Sequence, residues 1–287
     1  MSPPSRLVVL GGRGFLGAEI GKFGKQAGWR TLLLGSFDVD LETRNAGAEL
    51  ALFLEPGDAV IYAAAVAPAR VPADITRNIT MAMAVVSAVR EAQVAQLVVI
   101  SSDGIYGSQS ALRSEQAPAE PDTIHGVMHL AREITCQTAE VPLISIIRPS
   151  AIYGVDDPHN AYGPNRFARA AVKKQKVPLL GEGASVRDHV AVTDVAELTC
   201  SVVRSGLSGT FNAVSGHSTS FIEVAEIIAS VLPRPCEIAS VGPESPPTFQ
   251  YYDTSRVKEV FPNLKPMKPE LGLVQLVEAL ARRGQDG

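Results

Sequence analysis

The stretch Leu7-Val8-Val9-Leu10-Gly11-Gly12-Arg13-Gly14-Phe15-Leu16-Gly17 decides how the rest of the chain is read. Four apolar residues of strand length run into a glycine-rich turn. The turn opens a segment, 15–27, with helical periodicity that stops near Gly28. Gly12, Gly14 and Gly17 satisfy GxGxxG, and Gly11, Gly14 and Gly17 satisfy GxxGxxG. In either register one glycine makes a tight turn and another lets the backbone approach a pyrophosphate. The third lets helix and sheet pack closely, while the helix N-terminus faces the anion. Alone the glycines are a weak signal; between a strand and an amphipathic helix they have the context a dinucleotide site needs.

Outward from this turn the first half alternates between two periods. Apolar runs at 31–34, 59–65, 97–100 and 143–147 have strand length and no polar alternation, as strands covered on both faces do. Between them, 75–92 carries Ile79, Met83, Val86 and Val89 at helical spacing, and 124–138 reads as another helix. Such alternation predicts a parallel, doubly wound sheet. After Arg148 the pattern changes to a Gly/Pro/Asn loop at 158–164, a helix from Pro164, and short strands at 176–180 and 210–213. Thr193 or Asp194 can cap a helix, Ser220-Phe221-Ile222-Glu223 is a capping box, and after a proline-interrupted stretch at 243–247 a last helix spans 271–283. The expected fold is α/β: a Rossmann-type doubly wound parallel sheet over 1–150 that binds NAD or NADP. A smaller C-terminal α/β substrate part spans 151–287, in pieces that need not be contiguous.

With 287 residues, 46% hydrophobic and 20% charged, the composition is that of a globular protein and excludes a disordered, collagenous or coiled-coil chain. Lys plus Arg number 26 and Asp plus Glu 30, a net charge of −4 that lacks the basic footprint of a nucleic-acid binder. The longest apolar stretch, 59–69, is too short to span a bilayer, and Met1–Arg6 lacks the layout of a secretory signal. Cys136, Cys200 and Cys236 have no CxxC spacing, which fits reduced thiols and a cytoplasmic location. No membrane or nucleic-acid partner is expected.

The run 31–34 is followed by Gly35, with Asp38 three residues later. An acid at that strand end reads the ribose 2′-hydroxyl of NAD. Glycine stands there instead, and Arg13 can face a 2′-phosphate, so NADP is as open as NAD.

Further segments stand in register with the turn. They are Asp40-Leu41, Ala63-Ala64-Ala65, Asn78, Ser101-Ser102-Asp103-Gly104-Ile105-Tyr106-Gly107 and Arg148-Pro149-Ser150-Ala151-Ile152-Tyr153-Gly154. After them come Gly181-Glu182-Gly183, Arg187-Asp188-His189-Val190, Asp194-Val195-Ala196 and Phe211-Asn212-Ala213-Val214-Ser215-Gly216. Taken in order, these resemble the extended short-chain dehydrogenase/reductases, the NAD-dependent epimerase/dehydratase group acting on nucleotide sugars. The resemblance implies cofactor contacts from Gly11, Arg13, Gly14, Phe15, Leu16 and Gly17, and from Asp40 and Leu41 beside the adenine. It implies further ones from Ala63, Ala64, Ala65, Asn78, Ser101, Pro149 and Ile152. Ser102 falls on the family's catalytic Ser/Thr position. Asp103, Tyr106, Asn165 and Arg187 are the candidate substrate contacts, the last pairing with the nucleotide's phosphates. A homodimer through the helices starting near Ile75 and Ile124 is also implied.

The chain departs from that pattern where the family's Y-G-x-S-K helix would lie. The segment here is His125-Gly126-Val127-Met128-His129. In the family the tyrosine moves the proton on the reacting oxygen while hydride passes to or from the nicotinamide, and the lysine helps to ionise it. Imidazole titrates near ~6.5 and needs no such help, so His125 can take the acid/base role beside Ser102. His129, one helical turn on, shares its face and can bond the nicotinamide ribose without being a permanent cation. Two other readings stand beside this one. The protein can bind cofactor and nucleotide without chemistry, as a sensor or scaffold, or the two histidines can ligate a metal. No third ligand is evident in the sequence, so no metal is expected. Family 4,6-dehydratases carry an acidic pair at 103–104; Gly104 removes half of it, which disfavours dehydration. NAD(P)-dependent epimerisation or keto-sugar reduction of a nucleotide-linked sugar is the expected activity.

Overall fold

The structure is a computed structural model that describes residue 4 and residues 6–108, 112–160, 163–243 and 246–284. The N-terminal residues read for a signal, the 158–164 loop and the 243–247 stretch therefore fall partly outside the described residues. The strands are β1 (Arg6–Leu10), β2 (Arg30–Leu34), β3 (Ala59–Tyr62), β4 (Gln96–Ile100), β5 (Leu112–Arg113), β6 (Leu143–Pro149), β7 (Ala151–Tyr153), β8 (Val177–Leu179), β9 (Val186–Ala191), β10 (Gly209–Ala213), β11 (Ser218–Ser220), β12 (Ile238–Ser240) and β13 (Tyr251–Tyr252). The helices are α1 (Phe15–Gln26), α2 (Ala46–Ala51), α3 (Pro72–Glu91), α4 (Ile124–Gln137), α5 (Pro164–Val172), α6 (Val192–Ser205), α7 (Phe221–Val231), α8 (Ser255–Val260) and α9 (Pro269–Arg283).

Six parallel strands form the main sheet in the order β10-β6-β4-β3-β1-β2. Alternate side chains of each strand serve opposite faces. Val8, Leu10, Val60, Tyr62, Leu97 and Val99 pack with Met81, Val85 and Val89 of α3. Leu7, Val9, Ala59, Ile61, Val98 and Ile100 pack with Ile20 of α1 and Val195, Leu198 and Val202 of α6. Both faces are dry, which explains the uninterrupted apolar runs. A third core joins Phe167, Val177, Phe221, Ile228 and Leu276 across α5, β8, α7 and α9.

The chain moves to one side from β1 to β2, then to the other from β3 onward, so the order reverses between β1 and β3. A crevice outside the carboxyl ends of those strands is where such sheets bind ligands. The second half also contributes to this sheet: β10 pairs with β6, Phe211 opposite Ile147, and α6 covers one face.

Two local expectations are corrected. The strand expected over 59–65 ends at Tyr62: the Ala63 N–H makes the last ladder bond, to Leu10 O (3.0 Å), and beyond it the carbonyl of Ala64 is taken by a side chain. Neither Thr193 nor Asp194 caps α6. The cap is Ala191, and the Asp194 carboxylate instead accepts from the Met267 N–H (2.8 Å), tying α6 to the approach to α9. The capping box of α7 forms as read: the Ser220 N–H and hydroxyl donate to Glu223 (2.7 Å each), and the Glu223 N–H returns to Ser220 Oγ (3.3 Å).

Candidate active site

The glycine turn fills the reversal point. Gly11 has φ +80°, and a Cβ there would lie 2.7 Å from the Ala64 nitrogen, so only glycine lets the β1 and β3 ends meet. Gly17 lies against the Gly11 carbonyl in the same way. Gly14 precedes α1 in extended conformation, no side chain caps that end, and the first turn holds no acid. The opening N–H groups and the positive end of the helix dipole are thus available to an anion, and the cradle fits a pyrophosphate. Leu16, Ala63 and Ile152 each pack against the core on the α1–α6 face of the sheet, and Pro149 closes β6. A cavity of about 100 Å³ opens between Gly11, Leu34, Gly35, Asp40, Leu41 and Ala64, with room for the edge of a base. At the end of β2 the Asp38 carboxylate folds back onto the strand, accepting from Gly35 N–H (2.8 Å) and from Arg13 (2.9 Å). Sequence reading noted Asp38 but not that a three-residue turn returns its charge to Gly35.

Asn78 is fully buried and pins the loop after β3, accepting from Val66 N–H (3.1 Å) and donating to Val66 O (3.1 Å) and Asp74 O (2.8 Å). It shapes the loop over the crevice and has no group left for a ligand. Ser101 is likewise spent inside, on Glu133, which also takes two bonds from Arg148 (3.0 and 2.7 Å).

The α4 end of the crevice is built from side chains. Ser102 and His125 meet across Gly104, where a Cβ would stand 3.4 Å from Ser102 Oγ and 3.5 Å from His125 Cδ2. Ser102 accepts from Gly104 N–H (3.1 Å) and donates to Asp103 (3.3 Å). His125 Nδ1 accepts from the Ala69 N–H (3.4 Å). The rings of His125 and His129 pack edge to face with centroids 4.6 Å apart. Burial lowers the pKa of His125, with nearby Asp103 opposing and Arg132 adding to the shift. His129 is held well below the ordinary imidazole value, first by burial and then by Arg132 and His125. Both rings are neutral at physiological pH.

A family model for the NAD dependent epimerase/dehydratase family matches residues 7–213. The chain belongs to that family. It is 30% identical over 177 residues to a UDP-glucose 4-epimerase of Mycolicibacterium smegmatis, covering 58% of this chain and 56% of that protein. It is 25% identical over 138 residues to a dTDP-4-dehydro-6-deoxy-D-allose reductase of Streptomyces bikiniensis, covering 45% of this chain and 41% of the other. The chain thus spans about half the length of the curated relatives it matches. In fold it is similar to a UDP-glucose 4-epimerase of Thermus thermophilus solved with NAD, with TM-score 0.84, 22% identity, and 96% and 99% of the two chains covered.

Three of the candidate substrate residues are engaged within the protein. Tyr106 is buried, with its hydroxyl between Asn212 Oδ1 (2.7 Å) and Arg148 (3.0 Å). Asn165 pins Gly154, accepting from its N–H (3.2 Å) and donating to its carbonyl (3.0 Å). Asp103 accepts from Tyr252, which β13 brings from the far end of the chain, and lies 3.8 Å from buried Arg113. Arg187 sits half-buried on β9, opposite Thr219. Sequence reading missed Arg113, Tyr252 and Arg132. Arg132 alone left a trace, an arginine on the apolar face of an amphipathic helix. Among the described residues no group of three or more His, Cys, Asp and Glu side chains could hold a metal ion, and no helix is long and apolar enough to cross a membrane.

Proposed function

We propose that the protein catalyses NAD(P)-dependent reduction of a keto group on a nucleotide-linked sugar, with His125 and Ser102 binding the reacting oxygen. The Ala69 N–H on His125 Nδ1 carries the choice of reduction. A backbone N–H only donates, so Nδ1 presents its lone pair and the neutral ring holds its proton on Nε2. Nε2 adjoins Cδ2, the edge that faces Ser102 across Gly104. A neutral imidazole N–H, with the Ser102 hydroxyl turned from Asp103 onto the same oxygen, polarises a carbonyl and stabilises the alkoxide formed from it. Epimerisation must begin by removing a hydroxyl proton, and an Nε2 that already holds one cannot accept it. The bound nicotinamide supplies the hydride; the alkoxide then takes a proton from solvent.

Residues 1–150, completed by α6 and β10, hold the cofactor, and the rest of 151–287 supplies the substrate part. Gly11, Gly14 and Gly17 cradle the pyrophosphate, Asp40 and Leu41 flank the adenine, and His129 bonds the nicotinamide ribose. Asp38 favours NAD over NADP, since its carboxylate occupies Arg13 and repels a 2′-phosphate. Arg187 meets the nucleotide's phosphates. The relatives' names, a UDP-sugar epimerase and a dTDP-sugar reductase, support the substrate class. A cytoplasmic homodimer through α3 and α4 is part of the same reading; the two helices pack together and expose Met83, Val127 and Ile134.

The test is to supply NADH or NADPH with a panel of UDP- and dTDP-linked keto sugars, following nicotinamide absorbance and analysing products. Cofactor oxidation matched by reduced sugar is expected. Interconversion of hydroxyl epimers without net cofactor turnover would replace reduction by epimerisation. Tight cofactor binding with no product from any sugar would leave a non-catalytic binder.

A further inference from the structure

Arg132 is 1% exposed, yet among the described residues no carboxylate pairs with it. Its Nη1 donates to Ile100 O (3.2 Å), the last carbonyl of β4, and its Nη2 to Ala64 O (2.8 Å), beside Gly11. The guanidinium stacks 4.3 Å from the centre of the Tyr62 ring, and its Nε has no partner. Nη1 also lies 3.4 Å from His129 Nδ1. Burying an unpaired cation costs several kcal/mol, roughly, so the fold keeps this one against a penalty. Bracing two strand ends needs hydrogen bonds but no charge.

We propose that Arg132 is the positioning residue of this site: a fixed cation that locks His129 into the Nε2–H tautomer. A guanidinium has five donors and no acceptor, so Nδ1 can face it only with a lone pair. The ring then offers a single N–H, at Nε2, for a hydroxyl in the crevice. Arg132 and His125 are the charged and titratable groups facing His129; His129, Arg132 and Asp103 are those facing His125. None of them favours a proton on His129. Arg132 thus supplies from below the permanent charge that neither imidazole can.

What the ring bonds rests on the dinucleotide reading of the crevice, but the test does not. Long-range ¹H–¹⁵N spectra of the whole protein labelled at histidine report tautomer and titration without turnover. The His129 signals, assigned by loss in His129→Gln, are expected to show Nε2–H alone and a titration midpoint well below that of an ordinary imidazole. Arg132→Met is expected to give mixed tautomers and raise the midpoint of His129 by at least about one pH unit. Arg132→Lys keeps a donor-only cation, and should hold both the low midpoint and the Nε2–H tautomer. A proton on Nδ1 in the unaltered protein overturns the proposal whether or not the variants fold, as do unchanged spectra in a folded Arg132→Met. An Nε2–H ring in a protein that reduces no sugar would leave this inference standing and remove the proposed activity.

Discussion

The two ends of the crevice are made of different material. At the β1–α1 end, backbone does the work: Gly11 and Gly17 allow approaches that any Cβ would block, and the helix N-terminus is left uncapped. At the α4 end, side chains do it: Ser102, His125, His129 and Arg132 come from two elements, the His125 ring being set by a backbone N–H across the fold and the His129 ring by Arg132 three residues on in the same helix. A backbone site is written in residue spacing and tolerates little change. A side-chain site depends on burial and charge, and can change its residues while keeping its place in the fold.

The contrast is most severely tested at Gly11. Alanine there must adopt φ near +80° and meet the Ala64 backbone, so Gly11→Ala is expected to abolish measurable NADH binding and to destabilise the protein by about 3 kcal/mol or more, read by calorimetry and denaturant titration. Unimpaired binding would mean the turn is not the anion cradle. At the other end, His125→Phe should leave NADH affinity within about threefold and cut turnover by more than roughly a hundredfold. Equal loss of binding would erase the division of labour; unchanged turnover would remove His125 from the chemistry.

A third test separates imidazoles that face the crevice from one that does not. His189 is buried on β9. It packs on Phe221 with centroids 5.4 Å apart, and among the described residues neither ring nitrogen has a partner. Burial first, and then the charge of Arg187, push its pKa from 6.5 down to about 3. The unfolded chain therefore binds the extra proton below pH 6.5 and the native state does not. Stability from this group is complete above that pH and declines as the pH falls toward 3, by about 1.4 kcal/mol per unit. His189→Phe should remove about 2 kcal/mol of the loss between pH 7 and 5, seen in urea midpoints at the two pH values. The smallest effect is expected at Asp38. Asp38→Ala frees Arg13 and should shift the ratio of NADP to NAD affinity upward by about tenfold, from competitive binding of the two cofactors. A ratio that does not move would take Asp38 out of cofactor choice.

The glycine turn, the alternation behind the six-stranded sheet and the α7 capping box were legible because each is local: periodicity, a turn and a cap are settled within a few residues. Asn78, Ser101 and Tyr106 stood in register with the family pattern, and Asn165 was read from its place after a loop, but neither register nor position says which way a side chain turns. Their polar groups are used within the protein, on Val66, Glu133, Asn212 and Gly154. Tyr252 and Asp103 are 149 positions apart, a pairing that no local pattern encodes.

The order of residues alone determined that this chain folds around a glycine-floored crevice and that two histidines, four positions apart, stand in the first turns of one helix. Only the tertiary structure decided which ring nitrogen carries each proton and where the buried charge sits. Burial of the rings and the Ala69 N–H on His125, 56 positions away, exist only once the chain has closed on itself, while Arg132 reaches His129 within one helix.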